Sequence, residues 1–426
     1  MAGPRPPAKP SDPPLARVLV LCILLAPAAA FAGLGAFDTE DPGEDLLPQW
    51  VLARLAVTGH GAGSYDYATQ AELVRSLPLA EHRLRVLDSP QIKDVGLCPY
   101  PPTLAVVYAP LGMMSFDAAV RVVYFLTLAL AVVAAWAIGR SAAGRLHGLT
   151  ALVMLAYYPG FHFTLQLGQN AVLTLALWAL GWQALVRGRD VTAGLWWGVL
   201  AYKAHWLLAV GWVPLVVGRP RVLAGMAASA GLLAVAATAW LGPAAWGRWL
   251  EQLAAVDRVY ATDADFRAHL LGQGCDLRSI LNRYAGPDAG RWLGWAALAA
   301  VAAATAVWYR RRNDGSGGPA AAGLLFASGL TVPHLYYYDE TVMLLPLAVL
   351  WSWRATLMWR QLVALAVLSA AFYFAPLHMR AVEFTGLPAA TLVVIGLWAL
   401  SLTVAPPPAP VSPKPPTAPA KKKTRK

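Results

Sequence analysis

Apolar runs of about 20 residues recur from Leu15 to Val404, and each is long enough to cross the hydrocarbon core of a bilayer as a helix. A helix is the natural element there, because it satisfies its backbone N–H and C=O groups within its own segment. Composition agrees. The 426-residue chain is 58% hydrophobic and 13% charged, where a soluble domain carries about a quarter charged residues. Too little polar surface is available to cover one large soluble core. The sequence therefore reads as all-α: a polytopic membrane helical bundle of about twelve transmembrane helices, with short interfacial helices in the outer loops.

The formal charge of +11 is gathered in short clusters between the apolar runs and in the final KKKTRK. That placement fits the positive-inside bias and an anionic inner leaflet, and no nucleic-acid reader motif accompanies it. Residues 1–14 read as a cytoplasmic tail and 15–404 as the transmembrane domain, with extracytoplasmic loops at 37–101 and 242–291. Residues 405–426 read as a disordered Pro-rich, basic cytoplasmic tail, either loosely bound to anionic lipid or simply solubilising. The run at Leu15–Ala36 is long for a signal sequence despite its AxA-like sites, and is expected to be an uncleaved first helix. Both termini are then cytoplasmic, in a multi-pass protein of the cell inner (plasma) membrane.

Local patterns sharpen the map. Leu46, Leu47, Trp50, Val51 and Leu55 recur at helical spacing, which predicts an interfacial helix along the outer leaflet. Trp246, Trp249, Leu250 and Leu253 mark a second such helix. The segment Ala193–Gly218 has the length of one crossing, yet basic pairs flank both ends. A hairpin reversing near Lys203-Ala204-His205 keeps Arg187/Arg189 and Arg219/Arg221 on one side, and is the preferred reading. Cys22 falls in the first run, while Cys98 and Cys275 fall in the two outer loops, where a disulfide between them is open.

No P-loop, GxGxxG, CxxC pair or HExxH is present. Chemistry must come from polar residues at the outer ends of the spans, or within the membrane hairpin at Lys203 and His205. The first outer loop opens with FDTEDPGEDLLPQW, which holds Asp38, Glu40, Asp41, Glu44 and Asp45. Further along stand Tyr100-Pro101-Pro102, Gln169-Asn170, Lys203 with His205, Arg278, and Pro333-His334 with Tyr336–Tyr338 and Asp339.

In order, this set resembles the polyprenol-phosphate-dependent mannosyltransferases of the GT-C glycosyltransferase superfamily (family eighty-seven). The resemblance rests on Asp45-Leu46 with Trp50, the Tyr100-Pro101-Pro102 run with Pro110-Leu111, Gly168-Gln169-Asn170, Lys203-Ala204-His205 where the family has Lys-Pro, and Pro333-His334 with Tyr338-Asp339. It implies a GT-C-like bundle. It also implies a hexosyltransferase that moves a hexose, most of all mannose, from a polyprenyl-phosphate sugar to a lipid-linked or cell-envelope glycan acceptor. Asp45 is then the general base, with inversion at the anomeric carbon. Lys203, His205, Arg278, His334, Gln169, Asn170, Tyr100 and Asp339 are then substrate-binding, among membrane lipids as the surroundings.

Other readings stand beside these. Asp45 is a preferred N-cap residue for the helix that follows, and Glu44 or Asp41 is an alternative base. Lys203 snorkels or pairs equally well, His334 suits a backbone-bonded structural role, and Arg278 an ordinary surface one. Tyr336–Tyr338 read better as an aromatic belt than as a sugar platform. Asp38, Glu40 and Asp41 lack the fixed spacing of a metal site, so no metal and no cofactor is assigned. Two rival functions remain: a transporter or flippase for a lipid-linked sugar, and a non-catalytic envelope assembly factor. The single broken hairpin and unequal outer loops count against the paired repeats of a transporter.

Overall fold

A computed structural model describes residues 43–79, 84, 86–141, 146–264, 274–312, 318–373, 382 and 389–404. The first apolar run with Cys22, the acids Asp38, Glu40 and Asp41, and the basic tail from residue 405 lie outside the described residues. Among the described residues all regular structure is helical, apart from an isolated antiparallel bridge between Gly274 and Tyr336. Four stretches are long and apolar enough to cross a membrane: Phe116–Ser141, Asp190–Val216, Pro220–Leu241 and Asp288–Arg312. Shorter apolar helices fill the bundle between them, among them Gly148–Tyr157, Ala171–Val186 and Ala389–Thr403.

The centre of the bundle is Ala320–Leu330, whose eleven residues are all buried. A helix apolar on every side has no face to offer water, so it is placed inside. The Leu46–Val57 helix follows the same rule, which corrects the interfacial reading. Eight of its twelve residues are buried, because Leu52, Ala53 and Ala56 complete the ring begun by Leu46, Trp50, Val51 and Leu55. It lies against Pro102–Gly112 at very short range: a Cβ on Gly112 would meet the Ala53 carbonyl at 2.6 Å. Trp50 donates its indole N–H to the carbonyls of Leu111 and Met114, at 3.1 and 3.3 Å, and packs edge-on to Phe116.

The hairpin is present. Arg219 reaches the carboxylate of Asp190 at 3.0 Å, so the two ends of the segment meet. The chain runs along Asp190–Gly198, tightens to a 3₁₀ turn at Val199–Lys203, and returns through Ala204–Gly211 and Val213–Val216. By length alone this is one crossing; the Asp190–Arg219 contact makes it a re-entrant pair that begins and ends on one side. Lys203, at φ −136° and ψ 76°, is where the helix breaks. The outgoing arm then packs on Pro220–Leu241 through glycine: a Cβ on Gly194 would lie 2.0 Å from the Val222 carbonyl, and one on Gly198 2.4 Å from that of Met226. Small residues four apart let two backbones approach this closely in a membrane.

Ala244–Thr262 leans on the segment of residues 65–99 rather than lying free. Trp249 donates to the Pro99 carbonyl at 3.0 Å, and Gln252 to that of Tyr65. Leu250 and Leu253 stay 57% and 38% exposed, so that flank keeps the expected outward apolar face. Cys98 and Cys275 are not joined to each other. Both are buried, and the Cys275 thiol is hydrogen-bonded to Glu340 instead.

Candidate active site

The polar turn at Leu165–Asn170 sets the floor of the site. Gly168 ends the Pro159–Leu167 helix in the left-handed region, φ 69° and ψ 30°. That reversal brings the turn of residues 43–45 alongside: Gly43 N–H donates to Gln166 O and Asp45 N–H to Leu167 O, each at 3.0 Å. Asp45 is therefore pinned through its backbone before its side chain does anything. The N-cap position is its own, but its side chain makes no capping bond. The carboxylate accepts a hydrogen bond from Gln169 instead.

Any side chain at 168 is strained, since an L residue in the left-handed region costs about 1–2 kcal/mol. A Cβ there would also meet that of Leu46 at 2.8 Å. Gly168→Ala is expected to lower the thermal midpoint by pushing the turn that holds Asp45 away, measured by thermal unfolding of the purified protein.

From Gln169 a chain of contacts leads across the site. Its amide donates to the Tyr338 hydroxyl at 2.9 Å. The Tyr338 ring sits 5.9 Å from the Lys203 ammonium, which is bonded to Asp339 at 2.6 Å. Lys203 and Asp339 are 5% and 1% exposed, so this is a buried ion pair. Tyr338 is accordingly a buried member of the site, not part of an aromatic belt. Beyond Lys203 the His205 ring lies 6.1 Å from His334, and His334 packs 4.5 Å from Tyr336. Arg278 donates to the Pro333 carbonyl at 3.5 Å and stacks 4.7 Å from Trp295. Among the described residues, Nε2 of His205 and Nε of Arg278 are buried with no hydrogen-bond partner. Unpartnered buried donors are costly, and these two belong to the same end of the site.

The structure thus brings together residues separated by almost 300 positions in the chain. The Tyr100 phenol feels the charges of Asp339 and Asp45. Asn170 is different. Its side-chain N–H₂ donates to Gln49 at 3.1 Å and its main-chain carbonyl accepts from Thr174 and Tyr202, while its side-chain Oδ1 is buried with no hydrogen-bond partner among the described residues. Glu44 is exposed, whereas Asp45 is half-buried. Asp45 lies ahead of its helix, outside the spanning segments, and burial pushes its carboxyl up to about 6; Glu44 adds to the rise, and the Gln169 bond opposes it. Among the described residues no group of three His, Cys, Asp or Glu is placed to hold a metal ion.

Three members escaped the sequence reading. Gln49 and Tyr202 sit on faces that look merely apolar in one dimension. Asp276 follows Cys275 in a polar loop with nothing to distinguish it from its neighbours, yet it is buried and bonded to Ser279 and Leu335.

A family model described as glycosyltransferase family 87 matches residues 99–333, more than half of the chain. The chain belongs to that family. Comparison with curated proteins and with solved structures finds no match. As a family 87 member the protein is a glycosyltransferase, using a sugar donor and an acceptor, and its apolar helices make it a membrane protein. The transporter and assembly-factor readings fall away. The matched residues include Tyr100, Gln169, Asn170, Lys203, His205 and Arg278. Asp45 precedes the match, and His334 and Asp339 follow it, so their part in the site rests on geometry.

Proposed function

We propose that this family 87 enzyme transfers a hexose, mannose first, from a polyprenyl phosphate to a lipid-linked or cell-envelope acceptor on the extracytoplasmic face of the plasma membrane. The observation that carries the reading is the placement of Asp45. Its carboxylate is half-buried, is held by Gln169 rather than used as a helix cap, and lies close enough to Lys203 and Asp339 to feel both charges. A carboxylate so held keeps a second oxygen for a substrate hydroxyl.

The step is a single displacement. The acceptor oxygen forms its bond to the anomeric carbon as the bond from that carbon to the phosphate oxygen breaks. The electron pair leaves with the lipid phosphate, and the hydroxyl proton passes to Asp45. One base and one displaced phosphate give inversion. The departing charge needs donors placed where it develops, and the Arg278 guanidinium, with the imidazole N–H groups of His205 and His334, supplies the candidates. Lys203, committed to Asp339, serves better as a fixed neighbour that sets the field around Asp45. Several of the roughly twelve crossings are then built from two short helices end to end, as at Gly148–Tyr157 and Pro159–Leu167.

Membranes containing the enzyme, supplied with a panel of radiolabelled polyprenyl-phosphate sugars, test this directly. Label from polyprenyl phosphomannose is expected to enter a lipid or glycan product. Transfer from a nucleotide sugar alone would sink the proposal.

A further inference from the structure

One carboxylate outside the set described above holds two of its parts together. Asp276 is 3% exposed and begins the Leu277–Ala285 helix, which carries Arg278 in its first turn. Its Oδ1 accepts from the Ser279 N–H at 2.8 Å, and its Oδ2 from the Ser279 hydroxyl at 2.7 Å. That much is an ordinary N-cap. The same Oδ2 also accepts from the Leu335 N–H at 3.2 Å, and Leu335 is the residue after His334. Around this bond the two segments are laced further: Cys275 N–H donates to the Leu335 carbonyl at 2.7 Å, and Arg278 donates to that of Pro333. The Thr391 hydroxyl fixes the Cys275 carbonyl from a third element, at 2.6 Å.

Capping does not require the Leu335 bond. What it accomplishes is to tie the backbone beneath His334 to the start of the helix that presents Arg278. Those side chains come from positions 56 apart in sequence, on a loop and on a helix. Their separation decides whether a phosphate meets both, because a misplacement of about 1 Å in a binding group costs on the order of 100-fold. We propose that Asp276 is a positioning residue: it clamps Arg278 and His334 at the spacing that receives the phosphate of the donor lipid. The proposal rests on the donor reading given under Proposed function.

Two variants separate clamp from cap. Asp276→Asn keeps an oxygen for the Ser279 N–H but turns an amide N–H₂ toward Leu335, so two donors face each other. Asp276→Ser keeps a good N-cap and is too short to bridge to Leu335 as well. Ser279→Ala removes the hydroxyl's bond to Asp276 and leaves both the backbone N–H cap and the clamp. Binding of farnesyl phosphate to the purified full-length protein is the readout, with thermal unfolding followed alongside. Both Asp276 variants are expected to weaken binding by about 10–100-fold, the usual loss for an outer supporting group, and Ser279→Ala to bind as the parent does.

Normal farnesyl phosphate affinity in the Asp276 variants overturns the clamp. So does equal weakening in Ser279→Ala, since the local contact between Ser279 and Asp276 would then account for everything. If Asp276→Asn does not fold, the better-capped Asp276→Ser decides. Arg278→Ala and His334→Ala distinguish the two levels: if they weaken binding while both Asp276 variants do not, only the clamp is lost. If they too bind normally, the donor-phosphate reading fails and the clamp with it.

Discussion

Asp45→Asn is expected to abolish sugar transfer and, at neutral pH, to make the protein more stable. The first half follows from the chemistry: a positioned general base contributes about 10²–10⁴-fold, and the amide cannot take a proton. The second half follows from linkage. Burial raises the carboxyl from 3.8 to about 6, so ionising Asp45 costs more in the folded protein than in the unfolded chain. The penalty is absent below the unfolded value, grows as pH rises between the two, and is complete above about 6. A shift of that size corresponds to about 3 kcal/mol, which asparagine avoids. Thermal midpoints of the two proteins are therefore expected to diverge upward through this window and to converge near pH 4. In the parent enzyme transfer is expected to fall away below about pH 6, as Asp45 becomes protonated. An Asp45→Asn protein that stays active, with Glu44→Gln inactive, would move the base by one residue. A variant that is inactive but less stable at pH 7.5 would leave the burial argument wrong.

The membrane character and the chemistry-bearing residues are visible in one dimension for a common reason. Both depend on a polar group standing where apolar ones prevail. Basic pairs at 187/189 and 219/221 predict the hairpin because charge placement constrains which side a loop occupies. The contact between Asp190 and Arg219 is the consequence. The Leu46–Val57 helix misled because five apolar residues on one stripe fit a surface helix and a buried one equally. Only the opposite face, with Leu52, Ala53 and Ala56, separates the two. Short stretches of Ala and Gly carry little hydropathy of their own, and here they allow close approach at Ala53 and Gly112.

Within the site, individual residues were legible and their partnerships were not. Nothing in the order Asp45, Gln169, Tyr338 says that the glutamine bridges the other two, because pairing across the bundle depends on which helices adjoin. The cap-like position of Asp45 likewise invites a bond to its own helix that the side chain does not make. Asp276 is the sharper case. Its cap to Ser279 spans only three residues, while its bond to Leu335 joins segments 59 positions apart.

Breaking the Lys203–Asp339 pair one side at a time is expected to be far more damaging than replacing both partners. At 2.6 Å and nearly complete burial, the attraction offsets the cost of removing two charges from water, and screening by salt is slight. Lys203→Met leaves the Asp339 carboxylate unpaired in the bundle; Asp339→Leu does the same to the ammonium. Either change is expected to cost about 3–5 kcal/mol. The combined Lys203→Met, Asp339→Leu protein removes both charges and keeps apolar bulk, and is expected to recover most of that loss. Recovery of stability is not recovery of function. The Lys203 charge lowers the Asp45 pKa and that of Asp339 raises it, so removing both removes two opposed influences on the base. It also withdraws the ammonium from the Tyr338 ring, whose hydroxyl accepts from the same Gln169 that bonds Asp45. The double variant is therefore expected to unfold near the parent midpoint in detergent while transferring sugar poorly. Were the pair only structural, the double variant would regain transfer along with stability, and Lys203 and Asp339 would drop out of the site.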